Sequence, residues 1–290
     1  MTLQGEHIHA PPVAIVVLNY NGAGVLPKLL GSLSTIDYPN LRILIVDNAS
    51  TDDSLEVLES LSALLNFELI VNPTNLFFSE GNNIGIRKAL QDGAEFVFLL
   101  NNDTIVPRRL ITSLVDFMTK HPKAGITGPL IHFEYPPHTI WSAGGKVSTW
   151  FGLVRHRGIR QKDKGQFNRP LKVDYVSGAA MMVRRDVFEK VGLLDPAFTM
   201  YYEDTDFCFR ARKAGFECWY VPTDPLIHLV SWSAGGQLSR LKIAMRARSG
   251  IKFFSRYSRW YQFPTIILGQ IYEACRVASL VATSKITFRR

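Results

Sequence analysis

Apolar runs and stretches of helical periodicity alternate along the first 130 residues. Five runs rich in aliphatic and β-branched residues cover 13–18 (VAIVVL), 41–46 (LRILIV), 67–71, 95–100 (EFVFLL) and 124–127. Such runs are typical of parallel strands that are buried on both faces. Between them, apolar residues recur at helical spacing over 25–33, 55–64, 82–90 and 107–118. The alternation predicts an α/β fold, with a mostly parallel, Rossmann-like sheet covered by helices on both faces.

The pattern changes after Pro129. Residues 138–157 predict an irregular hairpin, 160–170 predict a polar loop, and 173–183 and 217–221 predict strands. Helices are expected over 203–214, 237–257 and 263–282. Because no linker composition separates these segments, we expect one unit over residues 1–236 with halves at 12–130 and 131–236. A basic, amphipathic helical extension at 237–290 is expected to follow it.

Composition narrows the class of protein. Apolar residues are 47% and charged residues 20% of 290, which excludes disorder over most of the chain. The three cysteines form no CxxC, so a disulfide framework or a cysteine-built zinc site is not expected. The N-terminal segment has neither the basic nor the apolar region of a secretory signal. No uncharged apolar run is long enough to predict a spanning helix.

Charge is concentrated at the C-terminal end. The net charge is +8, but residues 240–290 alone carry +10 and the rest of the chain carries −2. This asymmetry predicts an anionic partner, either nucleic acid or a membrane surface. Apolar side chains, including Phe253 and Phe254, and the interfacial pair Trp260 and Tyr261 accompany the bases, which favours a helix lying on an anionic membrane. The alternative is that these helices pack on the catalytic unit or at a homo-oligomer interface.

Polar clusters follow three of the predicted strands. They are residues 19–22 (NYNG), 47–52 (DNASTD) and 101–103 (NND). Turns favour these residue types, but three clusters at one sheet edge coincide with the place where α/β sheets bind ligands. Asp103, with Asn101 as an oxygen ligand, suits Mg²⁺ or Mn²⁺ that bridges a diphosphate.

Seven ordered motifs together resemble the family 2 glycosyltransferases, which are GT-A-fold enzymes that move a sugar from a nucleoside diphosphate. The motifs are VAIVVLNYNG, LRILIVDNASTDDS, NLFFSEGNNIGIRKAL, EFVFLLNNDT, VSGAAMMVRRDVFEKVGLLDPAF, YYEDTDFCFRARKAGF and HLVSWSAG. They span residues 12–236 and are most similar to the bacterial rhamnosyltransferase-like branch. The resemblance implies a nucleotide-binding half at 12–130 and an acceptor half at 131–236.

The resemblance also implies roles for single residues. The nucleotide-sugar site would comprise Asn19, Tyr20, Asp47, Gly81, Asn82, Gly85, Asn101 and Asn102, with Asp47 matching the acid that reads the nucleobase. Asn101-Asn102-Asp103 stands where the family has its DXD motif, so one carboxylate is missing and Asp103 is the surest metal ligand. His228 matches a histidine that helps to hold the metal or the diphosphate.

Asp204 matches the family's catalytic base. A transfer with inversion needs a base for the acceptor hydroxyl, and the dipole of the helix that Asp204 begins would keep its carboxylate ionised. Capping of that helix by Glu203, Asp204 and Asp206 is the structural alternative. Small or aromatic residues suited to contact an acceptor sugar are Gly178, Ala179 and Trp141, and Glu203 lies beside the base.

These observations predict a metal-dependent inverting glycosyltransferase with Mn²⁺ or Mg²⁺. The branch that it resembles implies dTDP-rhamnose as donor and a lipid-linked or polysaccharide acceptor at the cytoplasmic face of a bacterial membrane. One alternative is a sugar nucleotidyltransferase, although NYNGAG lacks the nearby arginine of such enzymes. The other is a non-catalytic nucleic-acid-binding protein whose tail aromatics stack bases, and it leaves the catalytic motifs unexplained.

Overall fold

The computed structural model describes residues 10–229 and 240–272. The strands in chain order are β1 (Val13–Asn19), β2 (Leu41–Asp47), β3 (Glu68–Val71), β4 (Phe96–Asn101), β5 (Thr104–Ile105), β6 (Ala124–Gly128), β7 (Ile131–Phe133), β8 (Ile140–Ser142), β9 (Gly145–Ser148), β10 (Leu153–His156), β11 (Leu171–Lys172), β12 (Ala180–Arg184), β13 (Glu217–Tyr220) and β14 (Leu226–His228). The helices are α1 (Leu26–Leu33), α2 (Ser54–Leu61), α3 (Phe77–Gln91), α4 (Leu110–Lys120), α5 (Arg185–Val191), α6 (Glu203–Lys213) and α7 (Arg240–Tyr257), with a 3₁₀ turn at Trp260–Gln262 and further helical turns over 263–272.

An eight-stranded sheet forms the centre, in the order β11-β13-β6-β12-β4-β1-β2-β3. Strands β4, β1, β2 and β3 run parallel, whereas β12 is antiparallel to both β4 and β6. The register pairs Asn19 with Asp47 and Leu18 with Asn101, so the three polar clusters share the carboxyl edge of the sheet. The predicted α/β fold is confirmed. The second half of the chain, through β11, β12 and β13, extends the sheet that the first half begins.

The two faces of the sheet bury separate apolar layers. On one face, alternate residues of β1 pack with the apolar stripes of α1, α2 and α4. On the other face, the intervening residues pack with α3, α5 and α6. This alternation explains why β1 and β4 read as continuous apolar runs, because both of their faces are covered.

Two helices differ from the sequence expectation. The helix predicted to begin at Asn82 begins at Phe77, because Asn75 Oδ1 accepts the N–H of Phe77 at 2.8 Å and Asn48 Oδ1 accepts that of Leu76 at 3.0 Å. Helix α5 (Arg185–Val191) was not anticipated from periodicity, since only Val187 and Phe188 are buried along it. Its seven residues are too few to establish a helical repeat.

The strand predicted over 173–183 is wrong in its first part. Only β12 (Ala180–Arg184) belongs to the central sheet. Before it the backbone pairs elsewhere: the N–H of Val173 bonds to the carbonyl of Cys218, and Gly145 bridges Tyr175. A turn closed by the N–H of Ala180 on the carbonyl of Ser177 separates the two parts. The small residues at 177–180 therefore form a corner and not a strand interior.

The predicted hairpin exists as β9 and β10, which pair antiparallel with a turn at 149–152. A second sheet, in the order β5-β14-β7-β8, lies beside the central one. It carries His228 at the end of β14, where His228 pairs in register with Thr104. Residue 104 follows Asp103, so this small sheet brings the end of β14 to the polar edge.

Helix α7 packs on the catalytic unit. Phe253 and Phe254 are buried with Phe198 and Ile266 in an apolar cluster of their own. The expectation that both phenylalanines offer apolar surface to a membrane is wrong, because Tyr202 and Phe209 of the catalytic unit cover them. They are equally closed to stacking with nucleic-acid bases.

Three of the seven bases between Arg240 and Arg259 also point inward. Arg256 bridges Asp195 and Asp206, Lys252 donates to the carbonyl of Ala197, and Arg246 lies over the ring of Tyr201. Within the described residues, no helix is both long and apolar enough to cross a membrane. The N-terminal nine residues, the HLVSWSAG motif after Leu229, and the expected helical segments at 237–239 and 273–282 lie outside the described residues.

Candidate active site

The loops after β1, β2 and β4 are joined by side-chain hydrogen bonds. Asn19 Nδ2 donates to Asp47 Oδ2 at 2.8 Å, and Asn102 Nδ2 donates to Asn19 Oδ1 at 2.8 Å. Ser50 completes the group, because its N–H and hydroxyl donate to the two oxygens of Asp47. Asp47 is fully buried and both its oxygens accept bonds within the loops. These contacts show that Asp47 holds the loops after β1 and β2 together.

Gly22 makes the Asn19–Asn102 contact possible. A Cβ at this position would collide with Asn19 Oδ1 and Asn102 Nδ2. Beside this junction, the ring of Tyr20 is half exposed. Its exposure leaves the ring of Tyr20 able to stack against a planar base.

Asp103 and His228 meet at the same edge. His228 Nε2 lies 3.0 Å from Asp103 Oδ1, although 125 residues separate them in sequence. Both side chains are nearly buried, and His228 Nδ1 is buried without a hydrogen-bond partner. The sequence prediction that these two residues lie within a few ångströms of one another is confirmed.

The pair fits a divalent cation in its donor set. A carboxylate oxygen and an imidazole nitrogen are both accepted by Mn²⁺, and these two donor atoms already lie 3.0 Å apart. Asn101, at the end of β4, is two residues from Asp103. Among the described residues, no group of three or more histidine, cysteine, aspartate or glutamate side chains converges. Such a site suits an ion completed by water and substrate phosphate oxygens.

An aromatic group walls the site beside His228. Trp141 lies edge-on to His228 with centroids 4.7 Å apart, and its other neighbour is His156 at 4.3 Å. Tyr175 Oη is 3.2 Å from His156 Nδ1. Burial, reinforced by the charges of Arg246 and His228, lowers the pKa of His156 to about 3. His156 is therefore neutral, and Trp141 is held by its contacts with His156, His228 and the apolar core.

The corner at 177–180 connects the predicted base to the end of β4. The N–H of Gly178 donates to Asp204 Oδ2 at 3.0 Å, and the carbonyl of Ala179 accepts the N–H of Asn101 at 3.0 Å. Asp204 Oδ1 accepts the N–H and the hydroxyl of Thr205. Two adjacent small residues thus tie the Asp204 carboxylate to the polar edge.

Glu203 and Asp204, the two acids at the start of α6, both have raised pKa values. Burial raises the pKa of Asp204 above its usual value, although hydrogen bonds from Gly178 and Thr205 oppose the shift. Burial and then the charge of Asp204 raise the pKa of Glu203 well above its usual range, and Glu203 Oε2 has no hydrogen-bond partner. Burial therefore opposes the helix dipole, which was expected to favour the ionised form of Asp204. A raised pKa brings a carboxylate closer to the range in which a general base works best.

Gly81, Asn82 and Gly85 lie on the face of α3 that packs on the sheet. A Cβ at Gly81 would lie 2.6 Å from Leu18 Cδ1, and one at Gly85 would collide with Val16. Asn82 is buried and donates to the carbonyl of Phe78. Their observed contacts serve helix packing, and contact with a donor remains a prediction for these three residues.

Sequence reasoning missed several residues of the site. Asn48, fully buried, bonds to Asn72, Asn75 and the backbone of 76–77, and so joins the β2 loop to α3. Tyr201 and Tyr202 adopt positive φ angles of 67° and 68° immediately before Glu203. Asn48 belongs to the string NAS, and Tyr201 and Tyr202 belong to YYED. Residue type alone predicts neither the burial of Asn48 nor the left-handed backbone of the two tyrosines.

Comparison with known proteins identifies the family. Residues 14–192 match the family model described as Glycosyl transferase family 2. The match covers more than half of the chain and includes the loops after β1, β2 and β4. The chain belongs to glycosyl transferase family 2.

Curated relatives of this family 2 glycosyltransferase include rhamnosyltransferases. It is 26% identical over 271 residues to the N-acetylglucosaminyl-diphospho-decaprenol L-rhamnosyltransferase of Mycobacterium tuberculosis, with 86% of each chain covered. It is 25% identical over 218 residues to the dTDP-rhamnosyl transferase RfbF of Shigella flexneri, covering 74% of this chain and 68% of that relative.

Solved structures show the same fold. The mannosyltransferase PcManGT from Pyrobaculum calidifontis, in complex with GDP-Man and Mn²⁺, aligns with a TM-score of 0.58 at 15% identity over 96% of this chain and 81% of that one. GalNAc-T7 with UDP, GalNAc and Mn²⁺ aligns at 0.62 and 18% identity, over 76% of this chain and 44% of that one. This family 2 glycosyltransferase therefore has the GT-A fold.

The family membership makes glycosyl transfer from a nucleotide-sugar donor the reaction of this protein. The comparisons support neither a sugar nucleotidyltransferase nor a nucleic-acid-binding protein. The prediction of the family, of its rhamnosyltransferase-like relatives and of the fold is confirmed.

Proposed function

We propose that the protein is a metal-dependent, inverting rhamnosyltransferase that moves rhamnose from dTDP-rhamnose to a lipid-linked glycan in bacterial cell-surface glycan synthesis. The observation that carries the proposal is the connected set from Asp47 through Asn19 and Asn102 to Asn101 and Asp204 at one sheet edge. These bonds support the proposal because they connect the loops after β1, β2 and β4 to the carboxylate of Asp204, whose pKa is raised by burial. Rhamnose follows from the names of the two relatives.

Asp103, His228 and Asn101 would hold Mn²⁺ or Mg²⁺. The nearly buried Asp103–His228 pair and the unpartnered His228 Nδ1 support the assignment, and both solved neighbours contain Mn²⁺. When bound, the cation neutralises charge that develops on the leaving diphosphate. The nearly buried side chains of Asp103 and His228 would fix the position of the cation.

The donor lies across the loops after β1, β2 and β4 in this proposal. Tyr20 offers a half-exposed ring to the base, while Asp47 and Asn19 hold its loop in place. Gly81, Asn82 and Gly85 set the position of α3 under these loops. The buried packing of α3 supports an indirect role for these three residues in donor binding.

Asp204 acts as the general base. It takes the proton from the acceptor hydroxyl while that oxygen attacks the anomeric carbon, and the bond from that carbon to the diphosphate oxygen breaks. The bonding electron pair leaves with the diphosphate, and the configuration at the anomeric carbon inverts. The N–H of Gly178 and the Thr205 hydroxyl orient the carboxylate for this step.

The acceptor lies on the side of Trp141, Gly178, Ala179 and Glu203. Trp141, partly exposed and in contact with both His156 and His228, supplies an aromatic ring of the kind that packs on sugars. Burial and the charge of Asp204 raise the pKa of Glu203, which favours the protonated carboxyl that could donate a hydrogen bond to an acceptor hydroxyl. A lipid-linked acceptor, as in the name of the mycobacterial relative, would bring the enzyme to the cytoplasmic face of an anionic membrane.

Thermal-shift titration with nucleotides and nucleotide sugars tests the donor assignment. Ligand binding raises apparent stability by mass action, so dTDP-rhamnose with Mn²⁺ is expected to stabilise the protein more than UDP-sugars or GDP-mannose. Equal stabilisation by all nucleotide sugars would remove the rhamnose assignment. Equal stabilisation with EDTA would remove the metal.

A further inference from the structure

An exposed apolar platform lies at the C-terminal end of the described chain. It combines the tip of the β9–β10 hairpin with residues 260–272. Its large apolar side chains are all between 43% and 83% exposed: Trp150, Phe151, Trp260, Tyr261, Ile267, Leu268, Ile271 and Tyr272. So many exposed apolar residues in one place mark an interaction surface.

The hairpin tip and the C-terminal turns form one surface because they are hydrogen-bonded and closely packed. The carbonyls of Trp150 and Gly152 accept bonds from Thr265 and Gln270, and the rings of Trp150 and Tyr261 lie 5.8 Å apart. Gly269 lets the helix approach the tip, since a Cβ there would collide with the backbone of Phe151.

The helical turns over 263–272 are amphipathic. Ile266 is buried against the catalytic unit, whereas residues 267, 268, 271 and 272 are exposed. Exposed positions at this spacing form one stripe of a helix. The opposite face, with Ile266, Gly269 and Gln270, packs on the catalytic unit and on the hairpin tip.

The charge around the platform points to an anionic partner. Residues 145–156 and 240–272 together contain nine lysines and arginines and no aspartate or glutamate, and six of the nine remain when the inward-facing Arg246, Lys252 and Arg256 are set aside. A two-fold contact between copies of this chain would place bases against bases, because such an interface is self-complementary only when one patch supplies both charges. Tryptophan and tyrosine beside lysine and arginine are typical of the bilayer interface.

The hairpin also connects the platform to the active site. His156 at the end of β10 packs on Trp141, while Phe151 at the tip is five residues away. At about 3.4 Å per residue, the strand separates the platform from the acceptor side by at most about 17 Å. A surface at that distance suits an acceptor whose sugar stands above a membrane on a diphosphate.

We propose that this platform docks the enzyme on an anionic bilayer, with Trp150, Phe151, Trp260 and the 267–272 stripe entering the interface. This docking surface rests on the proposed function, because a lipid-linked acceptor is what would bring the enzyme to a membrane. The proposed docking surface differs from the one expected from sequence, which was the basic helical extension with Phe253 and Phe254. The docking elements are instead the hairpin tip and the last described helical turns. The inward face of α7 is occupied by the catalytic unit.

Co-sedimentation of the full chain with neutral and anionic phosphatidylglycerol-containing vesicles tests the platform. Wild-type protein is expected to bind the anionic vesicles in a salt-sensitive way. Leu268→Glu is expected to lower the vesicle partition coefficient about tenfold or more, since binding scales with buried apolar area. The matched control is Leu64→Glu, at an exposed leucine (51%) in the turn between α2 and the edge strand β3, and it is expected to bind as the wild type does.

A second pair of variants separates fold from docking. Trp260→Ala should reduce vesicle binding, whereas Tyr135→Ala, at an equally exposed aromatic residue (83%), should not. Nucleotide-sugar binding in solution is expected to survive in all four variants, and it is scored without vesicles. The two results are independent. Vesicle binding can be confirmed when the donor assignment fails, and the donor assignment can be confirmed when vesicle binding fails.

Three results would overturn the proposal. One is wild-type protein that ignores anionic vesicles, and another is equal loss of binding in Leu268→Glu and Leu64→Glu. The third is a dimer in light scattering that Leu268→Glu dissociates while vesicles bind neither form. That outcome would assign the platform to a second copy of the chain.

Discussion

The backbone N–H of Gly178 donates to Asp204 Oδ2 at 3.0 Å, across 26 residues of sequence. The adjacent Ala179 carbonyl accepts the N–H of Asn101 at 3.0 Å. The two small residues therefore connect the carboxylate of Asp204 to the end of β4. If Asp204 is the base, as we propose, displacement of this corner would move it relative to the donor and lower the rate.

The proposed metal role predicts that Asp103→Ala abolishes metal-dependent binding of nucleoside diphosphate. At a ligand concentration of 100 Kd, binding stabilises a protein by about 2.7 kcal/mol, and the variant is expected to lose this Mn²⁺-dependent increment. Tm with and without Mn²⁺ and dTDP measures it. Asp53→Asn, at the exposed start of α2, is the control. Nucleotide stabilisation that is the same in EDTA would refute a metal at Asp103.

The raised pKa of Glu203 predicts that this residue makes the protein less stable as the pH rises. Its pKa is raised in the folded state, so the folded protein binds more protons than the unfolded chain between the two pKa values. The stability contribution is complete below the unfolded pKa of about 4.3 and is lost as pH rises through the folded pKa. Glu203→Gln removes this loss, so the Tm of the variant minus that of wild type should increase from pH 5 to pH 8. A difference independent of pH would contradict the assignment.

Asp206 anchors α7 to the catalytic unit. It is fully buried and accepts bonds from Arg210 at 2.8 Å, Arg256 at 2.7 Å and Tyr257 at 2.8 Å. Asp206→Asn leaves these cations without a buried counter-charge and is expected to cost about 3–5 kcal/mol in the free energy of unfolding. Urea denaturation measures the cost.

The matched control for Asp206 is Asp195→Asn, which removes the other carboxylate partner of Arg256. Asp195 is partly exposed, and its bond to Arg256 is 2.8 Å. Solvent replaces much of that interaction, so the expected cost is about 1 kcal/mol or less. Equal costs for the two variants would mean that burial of Asp206 does not determine the attachment of α7.

The sequence predicted the sheet and the polar edge because burial on both faces leaves continuous apolar runs such as VAIVVL. It also placed Asp103 near His228, since both carry donor atoms that the family motif requires. The corner at 177–180 was misassigned to a strand because small apolar residues fit either backbone. The path of the backbone before this corner depends on hydrogen-bond partners far along the chain, such as the carbonyl of Cys218, which accepts the N–H of Val173.

The attachment of α7 was equally hidden from sequence. Its arginines and phenylalanines have the composition of a membrane-surface helix, and composition does not reveal which partner they meet. Arg256 faces inward because Asp195 and Asp206 lie opposite it, and Phe253 because Phe209 and Tyr202 do. A membrane surface was expected on this helix, whereas the exposed apolar residues lie on the hairpin tip and beyond Trp260.

Turnover of Asp204→Asn tests the central claim most directly. The amide is nearly isosteric with the carboxylate but cannot accept the acceptor proton at neutral pH. Acceptor-dependent release of dTDP from dTDP-rhamnose is expected to fall by about two to four orders of magnitude, while donor affinity stays near that of wild type. Asp53→Asn should leave both unchanged. Turnover of Asp204→Asn close to wild type would contradict the account and leave Asp204 as a residue that only holds the start of α6.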